Sequence, residues 1–201
     1  MTPVMAISSW PTNAHLIADC ARLGYLRKEW RTLDCTYGLG TFWKEWEPLE
    51  LHATDLDPSK SPTGESVDFT ALPYADRFFD AVVFDPPYKL NGTPDEAVDG
   101  RYGVHEVASW QDRMELMHLG LNECLRVLGD GYLLAKCQDQ VCSGRVRWQT
   151  YEMTRWAAEK GCGLVDRFDL LSYRPQPEGR RQVHARRNCS SLLVFKKGWS
   201  W

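Results

Sequence analysis

Apolar and polar positions follow two periods along this chain, one typical of strands and the other of helices. Short apolar runs predict seven strands, at Arg31–Cys35, Leu51–Thr54, around Val67, Ala81–Phe84, Tyr132–Cys137, Leu164–Leu171 and Ser191–Lys196. Apolar residues at three- and four-residue steps predict three helices, at Asn13–Leu23, Gln111–Leu128 and Arg145–Lys160. Because strands alternate with helices, we expect an α/β fold: a seven-stranded, mostly parallel sheet with helices on both faces. The last two strands are joined without a helix, so the last strand is expected to be antiparallel.

Composition limits the class of protein. The 201 residues suffice for one core, and no linker divides the chain, so residues 1–201 are expected to form a single domain. A hydrophobic fraction of 43% and a charged fraction of 25% exclude a disordered or fibrous chain. No apolar run is long enough for a membrane span, and the N-terminus lacks the features of a signal peptide, so we expect a cytoplasmic protein. The seven scattered cysteines, without a Cys-x-x-Cys pair, are expected to be small buried hydrophobes and not metal ligands.

Charge is distributed unevenly. The net charge is −3, yet residues 174–197 hold seven basic side chains and one acidic side chain. Such a segment can lie against phosphates, although a solvated loop has the same composition.

A glycine-bearing turn follows the first predicted strand. It contains Asp34, Gly38 and Gly40, and Asp55 follows at the end of the next strand. Glycines let the backbone approach a ligand closely, and a carboxylate at that place can accept hydrogen bonds from ribose hydroxyls. This pattern predicts a nucleoside cofactor. S-adenosylmethionine is favoured over NAD because position 43, where the dinucleotide fingerprint has its third glycine, is Trp.

The fourth predicted strand ends in Asp85-Pro86-Pro87-Tyr88. The carboxyl ends of parallel strands meet at one edge of the sheet, so Asp85 is expected to face the same crevice as the glycine turn. An Asp oxygen and a Pro carbonyl can together accept both hydrogens of an exocyclic amino group, and Tyr88 can stack on the base that carries it.

These motifs resemble those of class I S-adenosylmethionine-dependent amino-methyltransferases with an Asp-Pro-Pro-Tyr motif, typified by the DNA adenine-N6 and cytosine-N4 methylases. The closing segment Arg186–Phe195 is similar to that of phage and actinobacterial members. The resemblance implies a Rossmann-like sheet and catalysis by Asp85, Pro86, Pro87 and Tyr88. It implies cofactor binding by Asp34, Thr36, Gly38, Gly40, Asp55, Leu56, Asp68 and Phe69.

Restriction-type members carry a separate target-recognition region, and no segment here is long enough to be one. Recognition is therefore expected to fall to two loops, Lys89–Ser109 and Ser172–Arg187. Candidate substrate contacts are Lys136, Arg180, Arg181, Arg186 and Arg187.

The resemblance implies methylation of adenine N6 in DNA, with nucleic acid as partner. The residues leave open methylation of cytosine N4 or of an RNA base, including guanine N2. They also leave open a protein or small-molecule substrate, or a non-catalytic nucleic-acid-binding module.

Overall fold

The computed structural model describes residues 3–90, 109–172, 182–185 and 187–199. Its strands are β1 (Ile7–Ser8), β2 (Arg31–Asp34), β3 (Glu50–Ala53), β4 (Phe79–Phe84), β5 (Leu128–Cys137), β6 (Gln140–Cys142), β7 (Arg145–Arg147), β8 (Cys162–Leu171) and β9 (Cys189–Lys197). Its helices are α1 (Asn13–Arg22), α2 (Trp110–Val127) and α3 (Gln149–Glu159), and a 3₁₀ turn at Thr41–Trp43 follows β2.

One seven-stranded sheet forms the centre of the molecule, in the order β1-β8-β9-β5-β4-β2-β3. Strands β5, β4, β2 and β3 are parallel, and β1 is parallel to β8. The last strand, β9, is antiparallel to both of its neighbours, β5 and β8. The predicted fold, a mostly parallel seven-stranded sheet with an antiparallel last strand, is confirmed.

The prediction of a strand around Val67 is wrong. That segment makes a single bridge between Asp55 and Ser66, and the seventh strand is instead the short β1. The chain turns away after Val67 because Asp68 Oδ1 accepts hydrogen bonds from the amide of Thr70 at 2.8 Å and from its hydroxyl at 2.7 Å. Such a side-chain turn replaces the ladder of hydrogen bonds that a strand would need.

The third predicted helix begins later than expected. Residues Arg145–Arg147 form one strand of a two-stranded hairpin, and α3 begins at Gln149. The two residues between β6 and β7, Ser143 and Gly144, have φ of 51° and 72°, the left-handed values that tight hairpins require. The dipeptide Ser-Gly was the local signal for this turn.

The other two helices agree with their predictions to within one residue at each end. A capping box begins α2. Ser109 Oγ accepts the amide of Asp112 at 3.1 Å, and Asp112 Oδ2 accepts the amide of Ser109 at 3.0 Å.

Apolar side chains cover both faces of the sheet. Helices α2 and α3 pack on one face, and α1 packs on the other together with the 3₁₀ turn. In β4 the alternation is direct: Val82 and Phe84 face α2, while Ala81 and Val83 face α1. Within the described ranges, no helix combines the length and the apolarity needed to cross a membrane.

Candidate active site

The ends of β2, β3 and β4 are joined by hydrogen bonds between the residues that follow them. The amide of Gly38 donates to Asp55 Oδ2 at 2.8 Å, which links the glycine turn to the end of β3. The amide of Asp85 donates to Thr36 Oγ1 at 2.8 Å, which links the end of β4 to the same turn. The structure therefore brings the predicted cofactor motif and the predicted catalytic motif to one edge of the sheet.

Asp34 lies buried beneath the glycine turn and forms part of its frame. Its Oδ2 accepts the indole N–H of Trp43 at 2.7 Å, and its Oδ1 accepts the amide of Thr36 at 3.1 Å. Burial raises the pKa of Asp34 to about 7, although both donors act in the opposite direction; the charges of Asp85 and Asp55 raise it further. Through these two hydrogen bonds, Asp34 holds the glycine turn in place.

The two predicted glycines adopt left-handed backbone conformations. Gly38 has φ of 56° and Gly40 has φ of 62°. A Cβ on Gly40 would lie 2.5 Å from the hydroxyl of Tyr37, so a side chain at that position would have to displace the Tyr37 ring. At Gly38 the nearest atom to such a Cβ is 3.9 Å away, which leaves its surface open to a ligand.

The Asp55 carboxylate is hydrogen-bonded to the glycine turn, yet it can still accept hydrogen bonds from a ligand. Besides the bond from Gly38, its Oδ1 accepts the amide of Asp57 at 2.9 Å. Each carboxylate oxygen therefore retains a free lone pair. The neighbouring Leu56 is 51% exposed, a large apolar surface beside the turn. Thr54, which sequence reasoning missed, has a buried hydroxyl oxygen without a hydrogen-bond partner among the described residues.

The remaining two predicted cofactor residues lie in different surroundings. Asp68 is exposed and caps the turn at Thr70. Phe69 is 8% exposed, and its ring packs edge-on against Phe84 with centroids 5.3 Å apart. A Cβ on Gly120 of α2 would lie 2.6 Å from the same ring, so Phe69 fills the core beneath the site.

Asp85 has an unsatisfied carboxylate oxygen. Its Oδ1 is buried and has no hydrogen-bond partner among the described residues. Burial raises the pKa of the Asp85 carboxyl, and the positive charge of Lys136 acts against that rise. A buried acceptor without a donor costs free energy unless something completes it. Asp85 is therefore suited to accept a hydrogen bond from a ligand.

Hydrogen bonds hold the rest of the motif, one of them within it and two from residues outside it. Pro86 is buried, and its carbonyl accepts the amide of Tyr88 at 2.7 Å across Pro87. The Tyr88 carbonyl accepts the side-chain amides of Gln140 and Gln149, both at 2.6 Å. Sequence reasoning missed these two glutamines, because neither lies in a recognisable pattern.

Lys136 is 4% exposed and lies at the same edge. Its Nζ donates to Asn13 Oδ1 at 2.9 Å. The same nitrogen is 5.5 Å from the ring centroid of Phe42 and 5.9 Å from that of Tyr88. The predicted substrate residue is thus a buried cation beside Asp85, and Asn13, at the start of α1, is a partner that the sequence did not indicate.

Most of the predicted recognition surface falls outside the described residues. This holds for Arg180, Arg181 and Arg186, and for the greater part of both loops. Arg187 is described, and its guanidinium lies 4.4 Å from the ring centroid of Trp148.

Comparison with known proteins supports the fold. No protein-family model matches the chain, and no curated protein matches its sequence. A proposed methyltransferase from Bacillus halodurans C-125 has a similar structure, with a TM-score of 0.58 and 14% identity over 90% of this chain and 98% of that one. A proposed RNA methyltransferase from Pyrococcus horikoshii gives a TM-score of 0.56 and 13% identity, over 92% of this chain and 82% of that one.

The chain therefore has the fold of class I methyltransferases. The [4+2]-cyclase SpnF shares this fold as well, with a TM-score of 0.55 and 15% identity over 92% of this chain and 80% of that one. Because a cyclase and methyltransferases have the same architecture, the reaction has to be argued from the residues of the site.

Proposed function

We propose that this protein transfers a methyl group from S-adenosylmethionine to the exocyclic amino group of a nucleobase, with adenine N6 in DNA as the target. The observation that carries the proposal is the buried Oδ1 of Asp85, which has no partner among the described residues and belongs to the residue directly before Pro86. These are two acceptors for the two hydrogens of an amino group.

The cofactor half of the proposal rests on the glycine turn and the acids around it. Gly38 offers open backbone surface, and Asp55 has a free lone pair on each oxygen for the ribose hydroxyls. Leu56 offers an exposed apolar surface for the adenine ring. Asp34, Asp55 and Asp85 lie close enough for their charges to interact, and such a group of carboxylates favours a cationic ligand.

The residues of the site suggest how the reaction is assisted. When bound, S-adenosylmethionine supplies an electrophilic methyl group on a sulfonium sulfur. Asp85 Oδ1 accepts one amino hydrogen, and the Pro86 carbonyl accepts the other with the lone pair that the Tyr88 amide leaves free. These bonds draw the nitrogen toward tetrahedral geometry, so its lone pair is no longer spread into the ring.

Positive charge develops on the nitrogen as the new bond forms, and the Asp85 carboxylate stabilises it. The surplus proton becomes acidic only after transfer and is held at Asp85 Oδ1. Tyr88 presents a half-buried ring on which the base can stack.

Mass spectrometry of nucleosides tests the proposal. Purified protein is incubated with methyl-labelled cofactor and with DNA and RNA of the same base sequence, and the nucleosides are analysed after digestion. We expect labelled N6-methyladenine from DNA. Labelled N4-methylcytosine, or label in RNA alone, would contradict the choice of substrate; no label in either nucleic acid would contradict the whole proposal.

A further inference from the structure

The β6–β7 hairpin lies next to the motif Asp85–Tyr88 and is hydrogen-bonded to it. Gln140 bonds to one backbone group of the motif and to one of the segment that follows it. Its Nε2 donates to the Tyr88 carbonyl at 2.6 Å, and its Oε1 accepts the amide of Leu90 at 3.2 Å. Cys142 Sγ donates to the Leu90 carbonyl at 3.6 Å. The hairpin is therefore fixed to the chain that presents the catalytic residues.

The hairpin carries positive charge that nearby acids do not neutralise. Its sequence, residues 140–148, has two arginines and no acidic residue. Of the eight arginines elsewhere in the described ranges, six form ion pairs with carboxylates and Arg27 and Arg113 do not; the six are Arg22, Arg31, Arg77, Arg126, Arg155 and Arg167. Within those ranges Arg145 and Arg147 form no ion pair, and neither does Arg187, which lies beside the hairpin. Their charge is left available to an anion.

Aromatic rings lie against two of these cations, and a further ring is exposed in the first turn of α3. Trp148 is 51% exposed and has the Arg187 guanidinium 4.4 Å from its ring centroid, while Tyr151 is 63% exposed. The Arg147 guanidinium lies 3.6 Å from the ring centroid of Trp110. Exposed rings interleaved with arginines are the composition by which proteins bind single strands: the bases stack on the rings and the cations contact the phosphates.

We propose that this surface, made of Arg145, Arg147, Trp148, Tyr151 and Arg187, binds the single-stranded DNA that flanks the target base. The inference rests on the proposed function for the identity of that base. The hairpin holds the strand next to Asp85 without reading its sequence, because the surface offers ring faces and guanidinium groups for bases and phosphates of any order. A single strand fits because its bases are free to stack, whereas those of a duplex are already stacked on one another.

The first test reverses charge at the exposed Arg145. Binding of a labelled single-stranded DNA oligonucleotide is measured by fluorescence anisotropy, without cofactor, at several salt concentrations. We expect Arg145→Glu to raise Kd about tenfold and to lower the slope of log Kd against log salt by about one. Lys160→Glu is the matched control, since Lys160 is exposed at the far end of α3 and makes the same change in charge. Equal effects of the two variants would overturn the inference.

The second test removes the exposed ring of Trp148. We expect Trp148→Ala to raise Kd for single-stranded DNA roughly 5- to 100-fold, the range for loss of one stacked base. Trp199→Ala is its control, because Trp199 is 50% exposed but lies beyond the end of β9. Equal affinity of Trp148→Ala and wild type would overturn the inference, as would preference of the wild type for duplex DNA or for RNA.

Methyl-transfer kinetics separate this inference from the proposed function. If Arg145→Glu transfers methyl to single-stranded DNA with unchanged KM, the docking surface is wrong and the proposed reaction stands. If both variants lose DNA binding as expected but no base of any DNA is methylated, the surface stands and the proposed reaction fails.

Discussion

The carboxylates on the two sides of the candidate site differ in how their oxygens are hydrogen-bonded. On the side of the glycine turn, Asp34 and Asp55 have both oxygens bonded to backbone amides or to an indole. At the end of β4, Asp85 has a buried oxygen with no partner in the described part of the chain, and Lys136 is the charge that opposes its pKa rise. The first pair holds a loop in shape; the third carboxylate is kept available.

This difference distinguishes the carboxylates that hold the loop in shape from the carboxylate that is proposed to take part in the reaction. An acid that accepts N–H bonds from its own loop is held in place by the fold, and only its remaining lone pairs are available to a ligand. A carboxylate whose buried oxygen lacks a partner has its hydrogen bonding satisfied only when a ligand supplies a donor. In the proposed function Asp34 holds the glycine turn, Asp55 binds the cofactor and Asp85 acts in the chemical step, and substitutions test that proposal.

The largest effect is expected at Asp85. Asp85→Asn keeps the shape but replaces the charge that would stabilise the developing cation, so methyl transfer should fall about 10²- to 10³-fold. Cofactor affinity, measured by isothermal calorimetry on the same preparation, should stay within about twofold of wild type. If the variant loses cofactor affinity but keeps its kcat, Asp85 acts in cofactor binding and not in the chemical step.

Asp55 should show the opposite division of effects. Asp55→Ala removes the acceptor of the Gly38 amide and the proposed acceptor of the ribose hydroxyls, so cofactor affinity should fall roughly 10- to 100-fold, about 1.4–2.8 kcal/mol. Asp57→Ala is the matched control, because its carboxylate contacts Ser59 and Lys60, two and three residues further along the same loop. Calorimetry distinguishes the two variants, and an equal loss in both would remove Asp55 from the cofactor site.

A smaller effect, visible mainly at acid pH, is expected from the cation next to Asp85. The reaction needs ionised Asp85, whose pKa is raised by burial, so the rate should fall as the pH drops through that raised pKa. Lys136→Met removes the charge that holds the pKa down and keeps an unbranched side chain. The acid limb of the kcat–pH profile should then move to higher pH, with recovery in alkali. A uniform loss at every pH would mean that Lys136 only supports Asn13.

The acidic residues at the ends of the central strands could be predicted from the sequence, because each lies where the strand pattern ends. Asp34 ends β2, Asp55 lies two residues beyond β3 and Asp85 directly follows β4, so a parallel sheet brings them to one edge without further information. The unpartnered oxygen of Asp85 could not be predicted, since it depends on which distant groups fail to reach it.

Other parts of the site depend on contacts between residues far apart in sequence. The Asn13–Lys136 bond joins α1 to β5, and Gln149 reaches back to Tyr88 from the start of α3. No periodicity marks such polar contacts. The hairpin was missed for a local reason: Arg145–Arg147 also continues the helical spacing of the residues after it, and only the Ser143-Gly144 turn decides between the two.

The smallest expected effect sharpens the cofactor side of the comparison. Leu56→Ala removes an apolar side chain that is half exposed beside Asp55, where the proposed adenine ring would cover it. Loss of about 1 kcal/mol of apolar contact corresponds to roughly fivefold weaker cofactor binding, with no change in kcat once cofactor saturates. Leu49→Ala is the control, because Leu49 is 82% exposed just before β3, at the end of that strand away from the site. If Leu56→Ala and Leu49→Ala bind cofactor equally well in calorimetry, the adenine ring lies elsewhere, and the apolar half of the proposed cofactor site has to be reassigned.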